Sequence, residues 1–126
     1  MVINIVNFNS INPIFAINLL WYPAFENLFS IIRRYVSDYK VDQADKKHLH
    51  SILYLMLSKN KIFYKYSNSM TGLIINFYNF FSIMLSYNYM NNNQILLTIL
   101  IINIITYLFV YFKLLNILSN RFVSKK

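Results

Sequence analysis

The sequence of 126 residues has no cysteine, one glycine and two prolines, and only four of its residues are acidic. Without cysteine, a disulfide framework, a thiolate nucleophile and a cysteine-based zinc site are all excluded. The chain also has no phosphate-binding glycine loop, no Ser-His-Asp set and no zinc-peptidase helix. We therefore expect no self-sufficient catalytic site within these residues.

Apolar residues dominate what is present. The chain is 57% hydrophobic and 13% charged, which is outside the usual range of soluble domains, and its net charge is +8. A nucleic-acid-binding domain would spread its basic residues over a folded surface, whereas here they fall into two blocks. This segregation favours a membrane protein and predicts no nucleic-acid partner.

Three apolar stretches predict three transmembrane helices. The first, at about residues 11–32, begins at Asn12-Pro13, because proline is tolerated in the first turn of a helix. No charge occurs between Lys65 and Lys113, which is enough for two crossings of ~20 residues, at about 72–89 and 94–113, joined by a turn at 90–93. The predicted fold class is an all-α integral membrane protein with three transmembrane helices and one cytoplasmic loop.

The charges predict the orientation. Residues 33–70 hold eight of the twelve cations, and short loops rich in Lys and Arg stay in the cytoplasm. The uncharged turn at 90–93 and the N-terminus then lie outside, and the basic tail at 114–126 returns inside. An outside N-terminus without a signal peptide predicts that the chain is the C-terminal part of a larger polytopic helical bundle.

Asparagine is abundant beside isoleucine, lysine and phenylalanine, which is typical of a genome rich in A and T. Individual asparagines in the spans, such as Asn18 and Asn103, are therefore expected to reflect composition rather than a structural role.

Glu26 is the only ionisable residue inside the first span. A carboxylate in hydrocarbon costs about 2.5 kcal/mol or more, so it requires a partner. Helical spacing places Glu26 on one face with Tyr22, Ser30 and Arg33. Two interpretations stay open: a structural ion pair within the bundle, or a supporting role beside an active site.

The basic loop contains the run Asp45-Lys46-Lys47-His48-Leu49-His50-Ser51. Two histidines at i and i+2 share a face in an extended segment and diverge on a helix. They are consistent with solvated loop residues, with a metal site that lacks further ligands, or with a diphosphate site. In the last case the two histidines, Lys46 and Lys47 would supply the donors without any metal.

The order of these residues resembles the C-terminal part of the polyprenyl-phosphate N-acetylhexosamine-1-phosphate transferases. The resemblance covers roughly residues 9 to 115. It rests on Tyr22-Pro23 followed by Glu26, on the pair Arg33-Arg34, on the Asp-x-x-His-x-His loop from Asp45 to His50, and on Asn68-Ser69-Met70-Thr71 before the second span. Two positions depart from the family: Lys46 stands where arginine is usual, and Ser51 stands where many members have another histidine.

The resemblance implies a multi-pass enzyme of the bacterial cytoplasmic membrane. Polyprenyl phosphate would attack the β-phosphate of a UDP-N-acetylhexosamine and release UMP, with Mg²⁺ neutralising the diphosphate. It implies diphosphate-binding roles for His48, His50, Lys46, Arg33 and Arg34, and supporting roles for Asp45, Ser51 and Glu26.

The family's paired aspartates, which hold the metal, have no counterpart here. The chain is accordingly predicted to contain no catalytic residue and no metal ligand and to be inactive alone, as the product of a truncated, split or fragmentary gene. Its expected partners are the two substrates, membrane lipid and, if the gene is split, a separately encoded N-terminal portion. The alternative hypothesis is a small non-catalytic membrane protein or assembly subunit with a lipid-binding basic loop. The sugar, the lipid and the pathway, whether O-antigen, peptidoglycan or another envelope polymer, are not specified by the sequence.

Overall fold

The computed structural model describes residues 12–36 and 47–123, the last three of these for their backbone only. These residues form an all-α bundle of four α-helices: α1 (Pro13–Val36), α2 (Leu49–Ser58), α3 (Ser67–Asn88) and α4 (Asn93–Val123). A single 3-10 turn at Tyr64–Tyr66 precedes α3. Asp45 and Lys46, to which the sequence assigned roles, lie outside the described residues.

Helix α1 begins where Asn12-Pro13 predicts. The Asn12 side-chain oxygen accepts a hydrogen bond from the backbone nitrogen of Ile14 at 2.9 Å. This bond satisfies one of the donors that a helix start leaves without a partner. Pro23 lies inside the helix without ending it.

Contacts at both ends show that α1 and α4 run in the same direction. Near their first turns, the Asn12 amide nitrogen donates to Asn93 at 2.6 Å. Near the end of α1, Arg33 donates to the hydroxyl of Tyr111 on α4. Helix α3 runs antiparallel to both, since its Tyr87 ring lies 6.4 Å from Phe15 near the start of α1. The Asn-rich turn is therefore at one end of the bundle and Arg33 at the other.

Helix α2 lies within the segment predicted as the 33–70 loop. Its apolar residues follow the i, i+3, i+4, i+7 spacing of a helix face, and Leu49 and Ile52 are buried against α3 and α4. Helix α3 also begins earlier than predicted, at Ser67 rather than 72. The predicted loop thus contains a short helix whose apolar face packs on the bundle.

Helix α4 continues to Val123 instead of ending at 113. Leu114 and Leu118 are the reason, since both are buried in the core cluster with Trp21, Ile52 and Tyr111. Lys113 is exposed on the opposite side of the helix. Residues 114–123, predicted as the start of a cytoplasmic tail, are therefore helical.

Two asparagines expected to reflect composition join helices instead. Asn18 is fully buried, and its amide nitrogen donates to the carbonyl of Leu96 on α4 at 3.1 Å. Asn103 on α4 accepts from the hydroxyl of Tyr78 at 3.0 Å and donates to Ser82, both on α3. In an apolar bundle such interhelical bonds satisfy polar groups that have no water, so these two residues have a structural role.

Helices α1 and α4 are long and apolar enough to cross a membrane, by length and composition. In the apolar 18-residue stretch of each helix, 22% of the residues are buried. This is a small share for a core helix of a soluble protein. Leu20 and Ile31 on α1, and Ile105 and Phe109 on α4, are among the exposed side chains. Helix α3 is 22 residues long but carries several polar residues and does not meet the same test. The third span and the orientation stay predictions.

Candidate functional site

The buried carboxylate of Glu26 connects three helices. Its Oε1 atom accepts from Nδ1 of His48 at 3.0 Å and from the backbone nitrogen of Leu49 at 2.8 Å. Its Oε2 atom accepts from the hydroxyl of Tyr107 on α4 at 2.8 Å. The residue is 8% exposed, and three donors compensate the cost of burying its charge. We call Glu26, His48, Leu49 and Tyr107 the Glu26 network.

The network holds the start of α2. His48 is the N-cap residue, with an extended backbone (φ −65°, ψ 149°) and no side-chain cap bond. Glu26 takes over that function from another helix, because its carboxylate accepts the first N–H of α2 and lies at the positive end of the helix dipole. The position of residues 47–50, which we call the histidine segment, is therefore set by α1.

The same contact defines the tautomer of His48. A carboxylate oxygen only accepts hydrogen bonds, so Nδ1 of His48 carries the proton that points at Glu26. The second ring nitrogen, Nε2, then lies on the far side of the ring, and the side chain is partly exposed. In the protonated ring Nε2 would donate to an oxygen of an anionic ligand.

His50 lies beside His48 although the helix begins between them. Their ring centroids are 5.5 Å apart and their planes differ by 14°. The sequence left open whether the two rings share a side, and the extended N-cap conformation of His48 brings them together. His50 is exposed, and Ser51 is half-buried in the first turn of α2.

Arg33 reaches the same segment from the end of α1. Its guanidinium donates to the carbonyl of Lys47 and to the hydroxyl of Tyr111. The guanidinium carbon is 5.9 Å from the ring centroid of Phe29 and 5.7 Å from that of Tyr111, within the range of a cation–π contact. Arg33 is thus bound to Lys47, the residue before His48, and its guanidinium faces the backbone of the histidine segment.

The remaining predicted residues divide into two groups. Arg34 is half-buried in the last turn of α1, next to Arg33. Asp45 and Lys46 belong to the part of the chain that the structure does not describe. Of the residues that the resemblance implicates, the structure therefore brings Glu26, Arg33, His48 and His50 to one end of the bundle.

Two tyrosines of α4 belong to this site and were missed by the sequence interpretation. Tyr107 and Tyr111 are both buried, and their rings stack with centroids 6.1 Å apart. They are four residues apart on one face of α4. That spacing was visible in the sequence, but only the fold shows that this face meets Glu26 and Arg33.

A cavity of about 240 Å³ lies next to the network, between all four α-helices. Trp21, Leu49, Tyr78 and Val110 contribute to its walls, and the surface that lines it is apolar. Such walls suit a hydrocarbon group and exclude a phosphate. Any diphosphate would therefore bind on the histidine side of Glu26 rather than in the cavity.

The Mg²⁺ implied by the resemblance has no fitting ligand set among residues 12–36 and 47–120. No three acidic, histidine or cysteine side chains in that part of the chain form a group that could hold a metal ion. Both oxygens of Glu26 already accept hydrogen bonds within the bundle. We therefore assign no step to a metal held by these residues.

No protein-family model, curated protein or solved structure matches this chain.

Proposed function

We propose that this chain is the C-terminal portion of a membrane transferase that moves N-acetylhexosamine-1-phosphate from a UDP-sugar to polyprenyl phosphate. In that reaction a phosphate oxygen of the lipid forms a bond to the β-phosphorus of the UDP-sugar. The bond between the β-phosphorus and the oxygen that joins it to the α-phosphate breaks, and UMP leaves. The role of this chain is to bind the diphosphate.

One contact supports the proposal most directly: the hydrogen bond between His48 and Glu26. The resemblance depends on two separate motifs, one on α1 with Glu26 and Arg33, and one at the histidine loop. If the resemblance were accidental, there would be no reason for the two motifs to be in contact in the folded chain. Here Glu26 and Arg33 each bind the histidine segment, at His48 and at the carbonyl of Lys47.

The chemistry of the residues fits a diphosphate. His48 and His50 present two neighbouring rings at the partly exposed end of the bundle, and protonated imidazoles donate to phosphate oxygens. Lys46, Arg33 and Arg34 would add positive charge around them. The catalytic groups, and the magnesium ion that would neutralise the diphosphate, would belong to the N-terminal portion of such a transferase.

The experiment is reconstitution of the two portions in one membrane. The full chain is co-expressed with the N-terminal portion of such a transferase, and UMP release from UDP-N-acetylhexosamine is measured with polyprenyl phosphate. We expect turnover from the pair, none from either portion alone, and a higher KM for the UDP-sugar with His48→Ala or His50→Ala. Asn91→Ala is the matched control, because Asn91 is exposed in the turn at the opposite end of the bundle.

Three results would contradict the proposal. Turnover by this chain alone would overturn the claim that its site is incomplete. Unchanged kinetics in both histidine variants would remove the diphosphate-binding role. A pair that assembles in the membrane without turnover, when the N-terminal portion is active with a transferase C-terminal portion, would favour the non-catalytic subunit instead.

A further inference from the structure

The transferase proposal leaves the apolar cavity beside the Glu26 network without a ligand. The volume of this cavity is about 240 Å³. An engineered protein cavity of about 150 Å³ with aliphatic and aromatic walls stays dry and binds benzene. The cavity between the four α-helices therefore has room for a larger apolar molecule.

The polar atoms of the wall residues are directed away from the cavity. The hydroxyls of Tyr78 and Tyr107 donate to Asn103 and Glu26, at 3.0 and 2.8 Å. The hydroxyl of Thr106 donates to a backbone carbonyl of its own helix at 2.8 Å. The surface of the cavity is consequently apolar throughout, and it offers a water molecule no hydrogen-bond partner.

The cavity opens on the outer surface of the bundle, between α3 and α4. Two of its wall residues, Ile74 on α3 and Val110 on α4, are also exposed on that surface, by 44% and 37%. Helix α4 is one of the two helices that are long and apolar enough to cross a membrane, and Val110 lies within that stretch. In a bilayer, the medium outside this opening is lipid hydrocarbon.

We propose that the cavity binds the acyl chain of a bilayer lipid, which enters between Ile74 and Val110 and lies against Trp21. An empty cavity leaves its walls without dispersion contacts, and an acyl chain that enters it moves from one apolar medium to another. An inserted protein segment would bring backbone N–H and C=O groups that these walls cannot satisfy.

A polyprenyl chain has the same apolar chemistry as an acyl chain. Acyl chains, however, form the bulk of the bilayer at the opening, so mass action favours them. The proposal does not depend on the transferase function.

Trp21 reports directly on whether the cavity is occupied, because it is the only tryptophan in the chain, lines the cavity and is 3% exposed. The full chain is placed in nanodiscs of phosphatidylcholine whose acyl chains are either unmodified or brominated at mid-length, since bromine quenches tryptophan on contact. We expect a loss of Trp21 emission in the brominated lipid.

Two variants narrow the opening, one from each side: Val110→Phe and Ile74→Phe. Each should reduce the loss of Trp21 emission while circular dichroism stays unchanged, and the second variant carries the test if the first does not fold. Ile105→Phe is the matched control, because Ile105 is exposed on α4 and is not a wall residue. It should leave the loss of emission unchanged.

An equal loss of emission in the unsubstituted chain and in all three variants would show that bromine reaches Trp21 from outside the bundle, and would overturn the proposal. Quenching by acrylamide instead of bromine would overturn it too, since the cavity would then hold water. Recovery of the emission when a small fraction of polyprenyl phosphate is added to the brominated lipid would assign the cavity to the polyprenyl chain instead.

Discussion

The Glu26 carboxylate on α1 lies 2.8 Å from the backbone nitrogen of Leu49, the first residue of α2. The start of a helix leaves its first N–H groups without partners, and a side chain from the same segment usually supplies one. The side chain of His48, the N-cap residue, makes no such bond. Its ring Nδ1–H group donates to Glu26 instead. One carboxylate thus fixes both the helix start and the histidine.

Glu26→Ala should release the start of α2. Hydrogen bonds to a charged group are worth about 1.5–3 kcal/mol each, and this substitution removes three of them. We expect amide hydrogen exchange at Leu49 and Ile52 to become faster by roughly 30-fold or more, which corresponds to about 2 kcal/mol of local stability. Glu26→Gln should have a smaller effect, since its amide oxygen can still accept from Leu49.

The matched control is Asn27→Ala, because Asn27 is the next residue on α1 and is exposed. Its effect on exchange in α2 should be small. Equal exchange rates at Leu49 in Glu26→Ala and in the unsubstituted chain would show that packing of Leu49 and Ile52 alone holds α2.

Tyr107→Phe tests a single bond of the network. It removes the hydroxyl that donates to Glu26 at 2.8 Å and keeps the buried ring. We expect a loss of about 1.5 kcal/mol in unfolding free energy, the lower value for a hydrogen bond to a charged group, measured by denaturant titration in mixed micelles. Tyr87→Phe, at an exposed position on α3, is the control and should change little. Equal losses in the two variants would argue against a stabilising role of the Tyr107 hydroxyl.

Much of the bundle could be predicted from the sequence, because apolar length and charge are local properties. Helices α1, α3 and α4 occur where uncharged stretches indicated them. Helix α2 was missed because its ten residues are too few for a span and its flanks are basic. A charge such as Lys113 does not mark the end of α4, because Tyr111, Leu114 and Leu118 continue the apolar face past it.

The site was predicted only in part, for a different reason. Helical spacing correctly indicated that Glu26 points into the bundle, but it offered partners only on α1 itself. The actual donors come from His48, Leu49 and Tyr107, which are 22, 23 and 81 positions away in sequence. Contacts at such separations follow from the packing of helices against one another, and the periodicity of residues along one helix does not predict that packing.

The two histidines should differ in their effects, because only His48 is part of the Glu26 network. In the reconstituted transferase, His50→Ala should raise the KM for the UDP-sugar about tenfold, the value of one hydrogen bond to a charged group, and leave exchange in α2 unchanged. His48→Ala should raise KM and also speed exchange at Leu49. An unchanged KM in His50→Ala would show that this exposed ring does not touch the substrate.

The orientation and the third span can be tested together, since a cysteine-free chain accepts a single reporter at either end of α3. Asn91→Cys should react with a membrane-impermeant maleimide in intact cells, because the uncharged turn is predicted outside. Lys61→Cys should react only after permeabilisation, because basic loops stay in the cytoplasm. The reverse pattern would invert the topology. Reaction of both from the same side would mean that α3, whose polar residues set it apart from α1 and α4, does not cross the membrane.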